Sequence, residues 1–397
     1  MSRLWDKGVG LDDRVLRYTA GEDHQLDERL VAYDVRASSA HAAMLHNQGL
    51  ISETDCNAIV EGLSRLGAEH ADGQWHISLQ EEDVHTALES RLTDRIGEAG
   101  RRLHLGRSRN DQVLAALRLY LRDATQMLSE QTAGVIRALF ELAGREAETP
   151  LPGYTHMQQA MPSSVALWAG GFASCLQDDI DGLSGALRRI NTSPLGSAAG
   201  YGTPAVPIDR AHTATQLEFA GVQEPVTAVQ LSRGKAESQL CFEINMVLGD
   251  CARMAADLLL FYTQEFAYVA LPTSLTTGSS IMPQKRNPDV LELVRAAPAT
   301  AQACMDECLM LTQKLTSGYH RDLQRLKAPL FRAIDLADDT LAIMQPMLDG
   351  VQFRRENIRL DAGLYAAEQA NRLVVEQGMT FRDAYRQVGK QFADGDT

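Results

Sequence analysis

Long apolar runs are missing from the sequence, and no uncharged stretch reaches the roughly 18 residues that a membrane-spanning helix requires. Residues 1–14 mix charges with short apolar stretches and lack the apolar centre of a signal peptide. Cysteines are few, six in 397 residues, and the pair Cys304 and Cys308 has no neighbouring histidine or second cysteine pair. We therefore expect a cytoplasmic protein with reduced thiols and no metal or disulfide framework.

A basic excess is also missing. The chain carries 38 Lys and Arg against 52 Asp and Glu, a net charge of -14. Such an acidic chain is a poor candidate for general nucleic-acid binding, and it could bind an anionic small molecule only where positive side chains are gathered locally. With 45% apolar and 23% charged residues, the composition is that of a globular protein long enough for a substantial core.

Strand patterns are scarce, whereas three long stretches carry helical periodicity. The first repeats apolar residues every seven positions, at Leu114, Leu121, Leu128, Val135 and Leu142. The second covers 162–190. The third repeats them every seven positions again, at Leu240, Val247, Met254, Phe261 and Tyr268. This period favours long helices packed nearly parallel, as in bundles. Because such helices rarely bury every apolar face within one subunit, we expect an oligomer. We predict an all-α protein with an N-terminal helical domain at 1–110, a central long-helix bundle at 111–350 and a short C-terminal helical domain at 351–397.

A polar loop at 106–112 precedes the first long helix. Asn110 or Asp111 is predicted to cap that helix. Arg107 and Arg109 oppose the helix macrodipole, and an anionic ligand such as a carboxylate or phosphate would explain them. A solvated arginine pair beside acidic neighbours is the alternative, and both interpretations stay open at this point.

Two further polar segments are less specific by themselves. In the loop at 152–158, His156 is the side chain best suited to exchange a proton near neutral pH, although a lone histidine in a loop is more often structural. The mixed charges at 319–327 could simply cover an exposed helix.

The loop at 277–289 combines mobility with positive charge. Gly278 and two serines make it flexible, and Asn287 followed by Pro288 predicts a helix N-cap and first helical residue. Ser279 and Lys285 are thus carried close to a helix N-terminus, where negative charge is stabilised. An inert surface loop is the alternative, but a lysine placed against the helix dipole favours an anion site.

This loop resembles, residue for residue, the signature of the fumarase/aspartase superfamily, in the run Gly278-Ser279-Ser280-Ile281-Met282-Pro283-Gln284-Lys285-Arg286-Asn287-Pro288. The resemblance implies a fumarase/aspartase-like bundle of long helices that forms a shared core in a homotetramer. It also implies elimination of fumarate or a close relative from a succinyl group, with neither a metal nor an organic cofactor.

Other motifs resemble those of the argininosuccinate lyase family, in order along the chain: Leu4-Trp5, 82–85, 104–112, 152–158, 194–197 and 319–327. The resemblance implies cleavage of argininosuccinate to arginine and fumarate, in arginine biosynthesis, at sites built from three subunits. It implies no nucleic-acid or membrane partner. Another fumarate-releasing lyase of the superfamily, or a non-catalytic crystallin-like homologue, is the alternative function.

The resemblance also assigns roles. Ser279 would be the base, activated by Lys285, and His156, oriented by Glu292, would protonate the leaving group. Substrate carboxylates and the guanidino group would be bound by Ser108, Arg109, Asn110, Thr155, Asn287, Tyr319, Gln324 and Lys327.

The sequence departs from the family in three places. Arg233 lacks the two flanking aspartates, Asp23 stands where a substrate-binding serine is usual, and the chain ends soon after Phe392. One interpretation of the early end is a truncated C-terminal domain.

Overall fold

The computed structural model describes residues 12–393, and the Leu4-Trp5 motif lies outside them. The described chain consists mainly of α-helices, which confirms the all-α prediction. None of these helices is both long and apolar enough to cross a membrane. In chain order they are α1 (Asp13–Ala20), α2 (Asp23–Leu26), α3 (Val31–Asn47), α4 (Glu53–Ala71), α5 (Val84–Ile96), α6 (Glu98–Arg101), α7 (Arg109–Arg145), α8 (Val165–Ile190), α9 (Arg210–Gln216), α10 (Val226–Leu231), α11 (Lys235–Tyr262), α12 (Asp289–Thr312), α13 (Lys327–Gly350), α14 (Ala366–Gln377) and α15 (Phe381–Ala393).

The three predicted long helices are α7, α8 and α11. The seven-residue positions of α7 are all at most 2% exposed, so the period does mark a buried face: Leu114, Leu121, Leu128, Val135 and Leu142. Helix α8 begins at Val165, three residues later than the predicted 162, because the preceding residues belong to a strand.

The strands are short and form three two-stranded antiparallel ladders, which pair β1 (Pro150–Thr155) with β2 (Gln158–Ser164), β3 (Val269–Ala270) with β6 (Gln352–Phe353), and β4 (Thr277–Gly278) with β5 (Arg286–Asn287). Short 3₁₀ helices lie at Asp27–Leu30, Thr273–Leu275, Arg321–Leu326, Arg355–Asn357 and Ala362–Tyr365. The β1–β2 hairpin was not predicted, and it carries one of the candidate site segments.

The described residues form two compact units, each assembled from separate stretches of chain. The first takes in the described parts of Met1–Ser129, Asp181–Asn245 and Ala299–Ala337, and the second those of Glu130–Ile180, Met246–Pro298 and Asp338–Thr397. The helices α7, α8, α11, α12 and α13 contribute residues to both units. The expected division into three consecutive domains stays a prediction.

Each unit has its own apolar packing. In the first, a cluster joins residues from α3, α7 and α9, centred on Ala37, Leu119 and Ala214. In the second, α14 and α15 pack through Ala370, Ala384 and Val388.

Candidate active site

The N-terminus of α7 is capped by Ser108, not by Asn110 or Asp111 as the sequence suggested. The Ser108 hydroxyl accepts the Asn110 N–H at 3.4 Å, and Asp111 accepts the Ser108 N–H at 2.9 Å. This reciprocal arrangement is a variant of the capping box, in which the serine accepts from the second helical residue and not from the third. The other oxygen of Asp111 accepts the N–H groups of Gly196 and Ala198 at 2.9 and 2.8 Å, so Asp111 also anchors the 194–197 motif.

Arg107 belongs to a buried polar network rather than to a ligand site. Its guanidinium donates to the Ser38 hydroxyl at 2.8 Å, and Ser38 donates to Asp34 at 2.7 Å. Asp34 is fully buried, also accepts from Gln112 at 3.1 Å, and forms a short contact with Nδ1 of His85. Arg107 thus has an acidic neighbour in Asp34, but it is buried, not solvated as the alternative interpretation expected.

Arg109 lines a cavity of about 190 Å³ in the first unit. Its guanidinium lies 3.3 Å from Asp83 and donates to the Thr86 hydroxyl at 3.0 Å. The cavity brings together Arg109, Asn110, Tyr319, Gln324 and Lys327 of the predicted site, with Asp23, Asp83, His85, Val113, Arg233, Arg321 and Leu323. Ser108 is at the adjoining helix end, half-buried, with its hydroxyl already used in the cap.

Lys327, the first residue of α13, is held between two carboxylates. Its Nζ lies 2.6 Å from Asp27 and 2.9 Å from Asp23, and its side chain is 4% exposed. Burial opposes the lysine charge, but attraction to Asp27 and Asp23 outweighs it and raises the pKa of Lys327. Burial raises the pKa of Asp23 to about 7, against the attraction of Lys327. The ammonium has three donors and these two contacts occupy two, so one remains for a ligand.

The side chains that line the cavity include more cations than carboxylates, although Asp27, Glu82 and Glu237, outside the lining, pair with the same cations. Four cationic side chains, those of Arg109, Arg233, Arg321 and Lys327, face two carboxylates, those of Asp23 and Asp83. The volume is below the roughly 300 Å³ at which pockets begin to enclose a drug-sized ligand. The cavity is therefore suited to one anionic portion of a substrate.

Gln324 is largely occupied by protein contacts. Its amide nitrogen donates to the carbonyl oxygens of Thr19 and Ala20 at 2.9 and 3.2 Å, and its oxygen accepts from Arg321 at 3.1 Å. This side chain holds the C-terminal end of α1 against the 3₁₀ helix at Arg321–Leu326. Tyr319, half-buried, lines the cavity just before that helix.

His85 also lines the cavity and was not singled out from the sequence. Burial would lower its pKa, but the charge of Asp34 outweighs burial and raises it. Burial would likewise raise the pKa of Asp34, yet His85 and Arg107 lower it to about 2. The His85 Nε2 is buried without a hydrogen-bond partner among the described residues. The motif at 82–85 was the available signal, but only the fold shows that its histidine reaches this cavity.

Arg233 lacks its expected aspartates but has another carboxylate. Its Nε donates to Glu237 at 3.1 Å, and both side chains are 3% exposed. The second oxygen of Glu237 accepts the Gly234 N–H at 2.8 Å, at the start of α11. Glu237 therefore balances the arginine charge one helical turn further along the chain.

In the second unit, His156 lies at the tip of the β1–β2 hairpin. His156 and Met157 form the two-residue loop between paired Thr155 and Gln158, with φ of 53° and 63°. Positive φ at both positions is the geometry of a type I′ turn, and it costs a side-chain-bearing residue on the order of 1–3 kcal/mol. Thr155 and His156 are both exposed. The strained turn presents the imidazole away from the unit.

The signature loop is closed at its base by the β4–β5 ladder, in which Thr277 pairs with Asn287 and Gly278 with Arg286. Helix α12 starts at Asp289, one residue later than predicted, and the Asn287 amide donates to the Gly278 carbonyl at 3.3 Å instead of capping the helix. Asn287 thus fixes the neck of the loop.

The Ser279 hydroxyl oxygen accepts two backbone N–H groups, from Ile281 at 3.3 Å and Met282 at 3.1 Å. Two N–H donors on one oxygen favour negative charge there. The loop between the strands is otherwise open, with Ile281 85% exposed.

Lys285 and Glu292 line one open groove of about 1040 Å³ in the second unit, together with Arg286, Arg295 and Arg354. Both side chains are exposed. Within residues 12–393, no hydrogen bond or ion pair joins His156 to Glu292, or Lys285 to Ser279. The predicted catalytic groups thus lie on the hairpin tip (His156), on the signature loop (Ser279 and Lys285) and in the first turn of α12 (Glu292), and no contact within the described residues joins them as predicted.

Comparison with known proteins agrees with this fold and these motifs. The model of a lyase family matches residues 14–302. The EDDS lyase crystallised with formate superposes with a TM-score of 0.81 at 25% identity, covering 96% of this chain and 76% of that one. A class II fumarase from Schistosoma mansoni gives a TM-score of 0.79 at 20% identity, over 96% and 88%. Fold and motifs define a lyase with the fumarase/aspartase architecture.

Curated relatives indicate which family of lyases this chain resembles in sequence. An argininosuccinate lyase from Sorangium cellulosum (strain So ce56) is 46% identical over 98% of this chain and 91% of its own length. One from Xanthomonas campestris pv. campestris (strain B100) is 42% identical over 96% and 89%. The chain belongs to the argininosuccinate lyase family.

Proposed function

We propose that this protein cleaves argininosuccinate to arginine and fumarate, as a step of arginine biosynthesis. The observation that carries the proposal is the likeness to curated argininosuccinate lyases at 46% identity over 98% of the chain. The cationic cavity and the oxyanion-like environment of the Ser279 hydroxyl support the same chemistry.

Ser279 is the proposed base. A proton must leave the succinyl carbon beside a carboxylate, and that carboxylate then carries a second negative charge. A serine hydroxyl can accept the proton only if its oxygen is ionised, and the Ile281 and Met282 N–H groups stabilise that ionised form. Closure of the exposed loop would exclude water and strengthen both interactions.

Lys285 and Asn287 are the proposed partners of the charged carboxylate. Lys285 supplies a mobile positive charge at the end of the loop. Asn287 supplies an amide at its neck, where the present bond to Gly278 would be exchanged for a substrate oxygen or retained to shape the loop.

His156 is the proposed acid for the departing guanidino nitrogen, directly or through a water, with Glu292 orienting the imidazole. The carbon–nitrogen bond breaks as this proton arrives, and fumarate and arginine remain. We propose that hairpin and signature loop from different subunits of a homotetramer complete each site. The exposed positions of His156 and Glu292 are consistent with groups that meet only in the assembly.

Ser108, Arg109, Asn110 and Thr155 are proposed to bind the fumarate carboxylates. Tyr319, Gln324 and Lys327 are proposed to position the substrate's other carboxylate and its guanidino group. Lys327 would bind substrate directly through its third donor, since Asp23 and Asp27 occupy the other two. Gln324, with its amide occupied, would act mainly by holding Arg321 in the cavity wall.

The test is fumarate release by the purified protein, with argininosuccinate compared against adenylosuccinate, malate and aspartate. We expect turnover of argininosuccinate, and Ser279→Ala should reduce kcat by at least about 10²-fold, the scale for losing a general base. Ser280→Ala, one residue further along the same loop, is the matched control and should change kcat little.

Preference for another succinyl substrate would refute the substrate assignment. Absence of turnover with all four would support the non-catalytic alternative. Normal turnover in Ser279→Ala would refute only the role of Ser279.

A further inference from the structure

A histidine pair and a glutamate converge in the first unit, apart from the groups used above. Glu28 lies in the 3₁₀ helix at Asp27–Leu30, His70 in the last turn of α4, and His76 in the segment after it. The His70 Nε2 lies 2.5 Å and the His76 Nδ1 3.4 Å from the same Glu28 oxygen, Oε2. All three ligand atoms lie within 4.8 Å of one another.

The carboxylate is fixed in place by a backbone bond. The other oxygen of Glu28, Oε1, accepts the Ile77 N–H at 2.7 Å. His70 packs against Trp75, with ring centroids 4.8 Å apart, and its side chain is 16% exposed. The Trp75 indole in turn donates to the Leu66 carbonyl at 3.0 Å. Two of the three groups are therefore held in a defined orientation before any ligand arrives, which is how outer contacts support a metal site.

Two imidazole nitrogens and one carboxylate oxygen are a ligand set that suits Zn²⁺. With bonds of about 2.1 Å in tetrahedral geometry, such atoms stand about 3.4 Å apart. The His76 to Glu28 separation already has this value, and the His70 to Glu28 separation needs to widen by about 0.9 Å. His76 is 74% exposed, which leaves the open side accessible to a water as fourth ligand.

We propose that Glu28, His70 and His76 bind one divalent transition-metal ion, with Zn²⁺ as the best match. The ion would take no part in the elimination. It would join the 3₁₀ helix, the end of α4 and the segment that leads to Asp83. The residue next to Glu28, Asp27, contacts Lys327 and accepts the Val84 N–H at 3.3 Å. Metal binding would therefore stiffen one wall of the cationic cavity.

The ordinary alternative is an ion pair between Glu28 and the two imidazoles. The two interpretations differ in their response to protons, since a metal needs neutral imidazoles and an ion pair needs protonated ones.

The experiment is calorimetric titration of the chelator-treated full-length protein with Zn²⁺ in a non-coordinating buffer near neutral pH. We expect one saturable site per chain and a Zn²⁺-dependent rise in the thermal midpoint. His76→Asn, at an exposed position that should leave the fold intact, should weaken binding by more than about tenfold, since losing a direct ligand costs at least as much as losing an outer contact. Glu28→Gln should do the same.

His104→Asn is the matched control. His104 is a partly exposed histidine 3.2 Å from one carboxylate, that of Glu89. Its removal should leave Zn²⁺ binding unchanged. Cobalt(II) should give a spectrum without thiolate charge-transfer bands, which excludes a cysteine site. Absence of saturable binding at micromolar Zn²⁺, or binding that survives both His76→Asn and Glu28→Gln, would overturn the proposal.

Discussion

Replacing Lys327 by methionine should destabilise the first unit strongly. The substitution removes the positive charge that lies 2.6 Å from Asp27 and 2.9 Å from Asp23, and it leaves two buried carboxylates facing each other. Breaking a buried ion pair from one side costs about 3–5 kcal/mol. For 397 residues the unfolding entropy is about 0.8 kcal/mol/K, so this loss lowers the thermal midpoint by about 5 °C.

The pH dependence of this effect follows from the pKa shifts. The raised pKa of Lys327 means that its stabilisation is fully present below the unfolded lysine value and is lost only as pH rises through the higher folded value. Without Lys327, its attraction no longer holds down the pKa of Asp23, so this carboxyl is protonated more readily. The destabilisation in Lys327→Met should therefore be larger at pH 8 than at pH 5.

Differential scanning calorimetry of Lys327→Met at both pH values is the assay. Lys327→Met combined with Asp23→Asn should recover part of the lost midpoint, because one of the facing charges is gone. Lys314→Met, at an exposed lysine, should change stability by less than about 0.5 kcal/mol. A midpoint equal to wild type, or an equal fall at pH 5 and pH 8, would show that the lysine does not hold the two carboxylates.

Two other substitutions test the polar groups around α7. His85→Gln should lower the free energy of unfolding, measured with urea. The lowered pKa of Asp34, about 2, contributes stability above the unfolded aspartate pKa, and that stability is lost as pH falls towards 2. The raised pKa of His85 contributes stability below the pKa of an unfolded histidine, and that stability is lost as pH rises through the pKa of the folded state. The loss of unfolding free energy in His85→Gln should therefore be largest near pH 5 to 6 and smaller at lower and higher pH. Asp111→Ala should cost about 2–4 kcal/mol, because it removes the cap contact to Ser108 and leaves two buried N–H groups, one on Gly196, without an acceptor; a loss within 0.5 kcal/mol, roughly the range of surface substitutions, would contradict this account.

The sequence predicted the long helices well because their signal is local and repeated. The seven-residue positions of α7 are buried along its length. The same period located α11, although its last predicted position, Tyr268, lies beyond the helix end at Tyr262. The hairpin of β1 and β2 escaped detection because its strands, rich in proline, glycine and polar residues, lack clear alternation. The starts of α8 and α12 were predicted three residues and one residue too early, because Pro162 belongs to β2 and Pro288 lies between β5 and α12.

The capping of α7 shows a different limit of sequence reasoning. Ser108, Asn110 and Asp111 are all good N-cap residues, and composition does not rank them. Ser108 is the N-cap because the Asp111 carboxylate is buried and accepts the N–H groups of Gly196 and Ala198. A contact across some 85 residues of chain cannot be read from the local sequence.

The same reason explains why Asp27 and His85 were missed, whereas Glu237 was a local partner that the sequence analysis overlooked. Lys327 was selected by resemblance, but its partner Asp27 lies 300 residues away in sequence. Glu237, which replaces the expected aspartates beside Arg233, lies at the favourable i,i+4 spacing and could have been found by a search for acids at helical distance. His85 lay in a motif already noted, and only its long-range contact with Asp34 distinguishes it.

The proposed binding and catalytic groups differ in how they are held, and this difference has a mechanistic reason. The cavity cations are fixed by buried or half-buried acids, Lys327 by Asp27 and Arg233 by Glu237, because a desolvated positive charge must be balanced while no substrate is bound. Ser279 and His156 lie on an open loop and a hairpin tip, which can move when a substrate arrives. Substitutions of the cavity cations should therefore lower stability and raise KM together, whereas substitutions at Ser279 or His156 should lower kcat and leave the thermal midpoint nearly unchanged. If substitutions at Ser279 or His156 lowered the thermal midpoint as much as substitutions of the cavity cations, the loop and the hairpin would be as much part of the folded core as the cavity is.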